Sequence, residues 1–190
     1  VPIYSIELNL DLKKLETFCN YHESNNKDGR VISNVGGYQT GDLPLDTPVI
    51  KPLIKEIEKN ANEFAKWFIN PNPQKIINTW FNINKYKDTN IAHTHTMSEI
   101  SGVVYVKTPK DCGQIVFHHP IKDLLAFYDT HMNIASRNSY NSHLWKFTPT
   151  ENTMYLFPSW LVHYVEANDN KKEERISFSF NTRQIGSIQW

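Results

Sequence analysis

The sequence predicts a mainly β fold with flanking α-helices. Three observations carry this. Aromatic residues make up 13% of the chain, a content that suits the packed faces of sheets. The segment RISFSFNT at 175–182 alternates strictly, with Arg175, Ser177, Ser179 and Asn181 on one face and Ile176, Phe178 and Phe180 on the other. Helical spacing of apolar residues is confined to the chain before residue 74. A length of 190 residues is enough for one domain with a sizeable core. We read it as a helical N-terminal support over 1–74 and a β core over 75–183.

In order, VPIYSIEL at 1–8 reads as a short strand with Ile3 and Ile6 partly buried. Residues 11–22 read as a helix, because Leu12, Leu15, Phe18 and Cys19 share a face. Residues 23–45 are rich in Asn, Gly and Asp and read as loop, with a short hairpin around Gly36 and Gly37. That loop is either a flap over a site or a surface excursion. Asp46 or Thr47 caps the next helix, with Pro48 in its first turn. It runs to about Ile69 on a stripe of Leu53, Ile54, Ile57, Ala61, Phe64, Ala65 and Phe68, and NPNP at 70–73 stops it.

A long strand follows at 76–86, with Trp80, Asn82, Asn84 and Tyr86 on one face, and then a turn at 87–90. Residues 101–108 form a strand with Val104 and Val106 opposite Val103 and Tyr105. A hairpin turn at 108–113 returns the chain to pair over 113–118. Residues 121–141 are a polar and aromatic insertion: either a lid contacting substrate through Tyr128, His131, Arg137 or Tyr140, or a surface excursion. A strand at 143–147, a turn at 148–152 and a strand over 154–157 come next. Asn152 in that turn tolerates the left-handed conformation. A tight turn at Pro158, Ser159 and Trp160 delivers His163, and 175–182 is the last core strand.

Charge and cysteine usage exclude several classes. Lys plus Arg and Asp plus Glu number 20 each, so nothing suggests a nucleic acid held by charge. No apolar run has the length of a membrane span. The two cysteines, Cys19 and Cys112, lack metal-ligand spacing and make no disulfide framework, so a reducing, cytoplasmic compartment is expected.

The chemistry concentrates in two segments. IAHTHTMSEISGVVYV carries His93 and His95, and LFPSWLVHYVEANDNKKEERISFSF carries His163, Arg175 and Ser177. On a strand, residues i and i+2 share a face, so His93 and His95 can aim at one metal, and His163 joins from elsewhere. Imidazole suits iron, zinc, copper and nickel. Arg175 offers a planar fork for a carboxylate, and Ser177 adds a hydroxyl on the same strand face. Glu99 is a lesser carboxylate candidate, because four residues is a poor strand spacing. His118 and His119 are adjacent, so at most one could join the site.

The order His-x-His, His, Arg-x-Ser resembles the Fe(II)- and 2-oxoglutarate-dependent oxygenases over roughly residues 75–183. SGVVYV and LFPSWLVHYV…ERISFSFN look like a branch found in marine bacteria and their phages. The resemblance implies a double-stranded β-helix, or jelly roll. It implies Fe(II) on His93, His95 and His163, and 2-oxoglutarate anchored by Arg175 and Ser177. Asn84 and Tyr86 are further candidates to reach the co-substrate, with O2 as the second one. The reaction implied is hydroxylation of an unidentified small molecule or peptide, with decarboxylation of 2-oxoglutarate to succinate. A peptidyl residue such as proline fits by likeness to prolyl hydroxylases. Location would be the cytoplasm of a bacterium or phage-infected host, and a homodimer is compatible with the sequence. One departure stands out: His95 occupies the usual carboxylate position, which gives the site one more unit of positive charge. Two rivals remain, a three-His cupin-type dioxygenase without co-substrate and a non-enzymatic jelly-roll module.

Overall fold

The computed structural model describes residues 1–68, 72–131, 134–138 and 140–186. Helix α1 (Leu12–Asn25) starts at Asp11, whose carboxylate accepts from the Lys14 N–H at 3.1 Å. It runs three residues past the expected end. Helix α2 (Lys51–Ala65) begins later than expected and has no side-chain cap. Neither Asp46 nor Thr47 caps it. The reason is Pro52: in a helix starting at Pro48 it would be an interior residue with no N–H to donate, whereas at the first turn nothing is lost. Leu53, Ile57, Ala61, Phe64 and Ala65 are buried as expected, but Phe68 is exposed in a 3-10 turn that ends the segment (Lys66–Phe68). Residues 69–71 of the expected helix end and NPNP stop lie outside the described residues.

Two antiparallel sheets make up the rest. The larger runs, in spatial order, β1 (Tyr4–Glu7), β9 (Thr153–Pro158), β6 (Ile100–Lys107), β11 (Arg175–Gln184), β4 (Gln74–Asn84) and β3 (Tyr38–Gln39). The smaller runs β2 (Asn34–Val35), β5 (Thr89–His93), β10 (His163–Val165), β7 (Ile115–His118) and β8 (Leu144–Phe147). From β4 to β11 the chain crosses between sheets at every connection except that between β7 and β8. This winding is the double-stranded β-helix. Helix α3 (Lys122–His131) lies in the β7–β8 connection, where the insertion was expected.

Two expected hairpins are absent for the same reason. Residues 108–113 do not fold β7 back on β6: β6 pairs with β9 and β11, while β7 pairs with β10 and β8. Gly36 and Gly37 do turn the chain, with φ of 68° and 67°, but β2 pairs with β5 and β3 with β4. Local turn chemistry was read correctly, and the partner was chosen by burial in two facing sheets. A Cβ at Gly36 would lie 2.1 Å from Asp88 Oδ1, so only glycine passes there. Asn152 takes φ of 60°, as its turn requires, and its side chain bonds both Leu10 N–H and Leu10 carbonyl. The N-terminal third is therefore not purely helical, since β1, β2 and β3 join the sheets.

The alternation of β11 divides two cores. Ile176, Phe178 and Phe180 are fully buried on the face that meets α1, α2, Phe81 and Ile83. The other face looks between the sheets, where Val103, Tyr105, Ile115, Phe117, Tyr155, Phe157 and Leu161 cluster. Phe178 contacts Phe81 with ring centroids 5.6 Å apart. Phe178→Ala should cost about 3–5 kcal/mol in urea unfolding. A loss below about 1 kcal/mol would show that the helices do not depend on this face.

Candidate metal and anion site

His93 ends β5 and His163 begins β10, and the two are directly opposed in the register. Their ring centroids lie 4.4 Å apart. His95 lies two residues beyond the strand, so the i, i+2 argument does not place it. A turn does: the His95 N–H donates to the Ser159 carbonyl at 2.9 Å. That bond swings its ring over His163, with the two Nε2 atoms 3.3 Å apart. One nitrogen from each of His93, His95 and His163 falls within 4.8 Å of the others, a set that could hold a metal ion.

Hydrogen bonds fix which nitrogen is free. Nδ1–H of His93 donates to the Ile91 carbonyl at 2.7 Å, and Nδ1–H of His163 to the Leu161 carbonyl at 2.9 Å. Each neutral ring then presents a bare Nε2, the state a metal requires. Burial lowers the pKa of all three, His95 to about 4 and His163 well below the usual value. Burial thus favours the neutral form of all three rings, the form that binds a metal. His95 Nε2 lies within hydrogen-bonding distance of the bare His163 Nε2, and a cation placed between them would take a lone pair from each ring. The donor set therefore fits a metal.

No carboxylate belongs to this group among the described residues. Glu99 turns away, its carboxylate accepting from Gln74 Nε2 at 2.7 Å and the Gln184 N–H at 3.1 Å. His118 and His119 stay outside, their rings against Tyr164 and Trp145.

A cavity leads from the histidines to Arg175. Trp80, Asn82, Asn84, Tyr105, Phe157, Ser177 and Ser179 line it. Arg175 starts β11 and is 1% exposed. Its Nη1 donates to the carbonyls of Cys112 and Glu166. Its Nη2 is buried with no partner, as are Tyr105 Oη, Asn84 Nδ2 and Asn82 Oδ1. The register sets these together: Arg175 opposes Asn84, and Ser177 opposes Asn82 on one side and Tyr105 on the other. Burial pushes the Tyr105 hydroxyl pKa up, so it is a donor. A buried cation beside unpartnered donors is costly unless an anion completes it.

Asn84 and Ser177 both line this cavity. Tyr86 does not: β4 ends at Asn84, and Tyr86 is 44% exposed with the Lys87 and Lys171 ammoniums over its ring. Two further residues that line the cavity, Tyr105 and Asn82, were not singled out by sequence. Their signal was present, since both lie on strands at alternate positions that face inward with Val103 and Trp80.

A second groove opens beside His93 and His95, lined by Arg30, Gln39, Asn78, Trp80, Thr96 and Asn181 among others. The 23–45 segment thus walls the site, as a flap would. Strand ends place the loops 94–99 and 159–162, and the chain where it leaves β7 at 119 and enters β8 at 143, at the histidine end. Of the insertion's suggested contacts, His131, Arg137 and Tyr140 line neither cavity, and the Tyr128 side chain lies outside the described residues. Because the Tyr105 hydroxyl makes no bond, Tyr105→Phe should leave unliganded stability unchanged or raise it by up to about 1 kcal/mol. A loss above about 1 kcal/mol in urea unfolding would show that the hydroxyl is already partnered.

Residues 78–181, more than half of the chain, match the family model described as "Putative 2OG-Fe(II) oxygenase". No curated protein matches the chain. Among solved structures, a prolyl-4-hydroxylase from Pseudomonas putida is similar at a TM-score of 0.68 and 13% identity, covering 97% of this chain and 93% of that one. HygX from Streptomyces hygroscopicus, with nickel and 2-oxoglutarate bound, is similar at 0.64 and 12%, covering 99% and 85%. The viral collagen prolyl hydroxylase of Paramecium bursaria Chlorella virus-1, a 2-oxoglutarate complex, is similar at 0.58 and 13%, covering 96% of each chain. At such identities the likeness is one of fold. The family match and the three-histidine site agree, and the chain belongs to the 2OG-Fe(II) oxygenases.

Proposed function

We propose that His93, His95 and His163 hold Fe(II) and that Arg175 receives the far carboxylate of 2-oxoglutarate. Tyr105, Asn84 and Ser177 would share that carboxylate. The observation that carries this is the buried, unpartnered Nη2 of Arg175 at the end of the cavity that begins at the histidines. A dicarboxylate spanning that cavity meets a cation at one end and the metal at the other. Bound iron supplies the oxidising chemistry with O2, by which 2-oxoglutarate becomes succinate and CO2 and the substrate is hydroxylated.

The chain's own residues do the rest. Arg175 and Tyr105 orient the co-substrate with charge-assisted and neutral hydrogen bonds. Phe157, Val103 and Ile115 form the apolar wall that keeps water from it. The groove beside His93 and His95 presents the substrate. A peptidyl residue such as proline is the substrate class suggested by the two prolyl hydroxylases among the similar structures.

Anaerobic titration with Fe(II) and then 2-oxoglutarate tests the reading through the weak visible charge-transfer band of the chelate. The band should appear in the wild type. Arg175→Ala should raise the 2-oxoglutarate concentration needed by about 30-fold or more, as expected when one partner of a buried charge pair is lost. Iron binding without any response to 2-oxoglutarate would favour the three-His, co-substrate-free chemistry instead.

A further inference from the structure

The polar face of β11 behaves differently at its two ends. At Arg175 the polar groups are unmet. At Asn181 they are met by protein alone. Asn181 opposes Asn78 on β4 and Ser101 on β6, forming one rung across three strands. Ser101 Oγ donates to Asn181 Oδ1 at 2.7 Å, and Asn181 Nδ2 donates to Asn78 Oδ1 at 3.0 Å. Ser101 Oγ also lies 2.7 Å from Ser159 Oγ. A hydroxyl has one proton, and that of Ser101 goes to Asn181, so Ser159 is the donor in this last bond.

The chain of donors therefore runs one way, from Ser159 through Ser101 and Asn181 to Asn78. It continues from Asn78 Nδ2 to Asp42 Oδ2 at 3.3 Å, and the other Asp42 oxygen accepts from Arg30 Nη2 at 2.7 Å. A carboxylate at the far end fixes the polarity of every bond before it. Ser101 and Ser159 are essentially inaccessible to solvent, and Asn181 is buried. Three buried polar residues would weaken an interior that apolar side chains could fill, unless their geometry serves a purpose.

Their position supplies the purpose. Ser159 belongs to a tight turn in which the Leu161 N–H donates to the Pro158 carbonyl at 2.9 Å. That turn holds two of the three histidines: the Ser159 carbonyl takes the His95 N–H, and the Leu161 carbonyl takes His163 Nδ1–H. His163 is also fixed by β10. His95 has no strand, so its backbone anchor is this turn. The Ser159 N–H bonds the Glu99 carbonyl at 3.0 Å, which ties the turn to the other end of the 94–99 loop.

We propose that Ser101, Ser159 and Asn181 are positioning residues for His95: they set the third metal-binding nitrogen through the 158–161 turn, without touching the metal. The proposal rests on the reading of His93, His95 and His163 as metal ligands. It assigns a buried hydrogen-bond chain to the ligand that stands off the sheet, where backbone pairing cannot do the work.

Co(II) titration of the apoprotein tests it, by affinity and by the visible absorption that reports coordination number. Ser101→Ala should weaken Co(II) about tenfold, the lower end of the range for outer-sphere partners of metal ligands, and should change the visible spectrum. In a His95→Ala background the same substitution should change affinity less than twofold. Urea unfolding checks that each variant is folded. Should Ser101→Ala not fold, Ser159→Ala, which leaves the Ser101–Asn181 bond in place, is measured in the same cycle. Unchanged affinity in the single variant, or an equal loss in both backgrounds, overturns the proposal and leaves the metal reading standing. Absence of Co(II) binding by the wild type overturns both.

Discussion

A guanidinium buried to 1% exposure, with its Nη1 satisfied by two backbone carbonyls and its Nη2 unmet, constrains everything around it. Such a charge is expensive to bury. The fold accepts the cost by holding Arg175 at the start of β11, between β4 and β6, where Asn84, Ser177 and Tyr105 converge on the same space. The outer face of the same strand is apolar from Ile176 to Phe180 and packs against the helices. One strand thus anchors the core on one side and carries the proposed anion site on the other.

The metal end follows a different logic. Two histidines face each other across β5 and β10, so the sheet itself sets their separation. The third is placed by a turn. Substituting an imidazole for a carboxylate raises the charge of the occupied site by one unit. A dianionic co-substrate would compensate that charge, which makes anion binding more favourable at the metal end as well as at Arg175.

Much of this was legible in the residues. The strict alternation of 175–182 gave both faces of β11 correctly, because a central strand between helices and a cavity must separate apolar from polar side chains at period two. The three histidines were found by type and order. What failed was anything set by non-local choice. Tyr86 looked like a continuation of the Asn82 and Asn84 face, but β4 stops at Asn84 and the chain turns outward. The hairpins at Gly36–Gly37 and 108–113 were plausible as turns, yet jelly-roll winding sends consecutive strands to opposite sheets. Pro48 alone would suit a helix start, but Pro52 moves the first turn of α2 to Lys51. Tyr105 was passed over because a tyrosine in an apolar strand reads as core until its hydroxyl is seen to lack a partner.

One cavity joins the three histidines to the buried Arg175, and metal and co-substrate are proposed to meet in it. A crystal structure with nickel and 2-oxoglutarate tests it most directly. The expected result is nickel on nitrogens of His93, His95 and His163, with the far carboxylate within hydrogen-bonding distance of Arg175 Nη2 and the Tyr105 hydroxyl. Nickel held by a carboxylate such as Glu99 in place of His95, or 2-oxoglutarate bound away from Arg175, would contradict it.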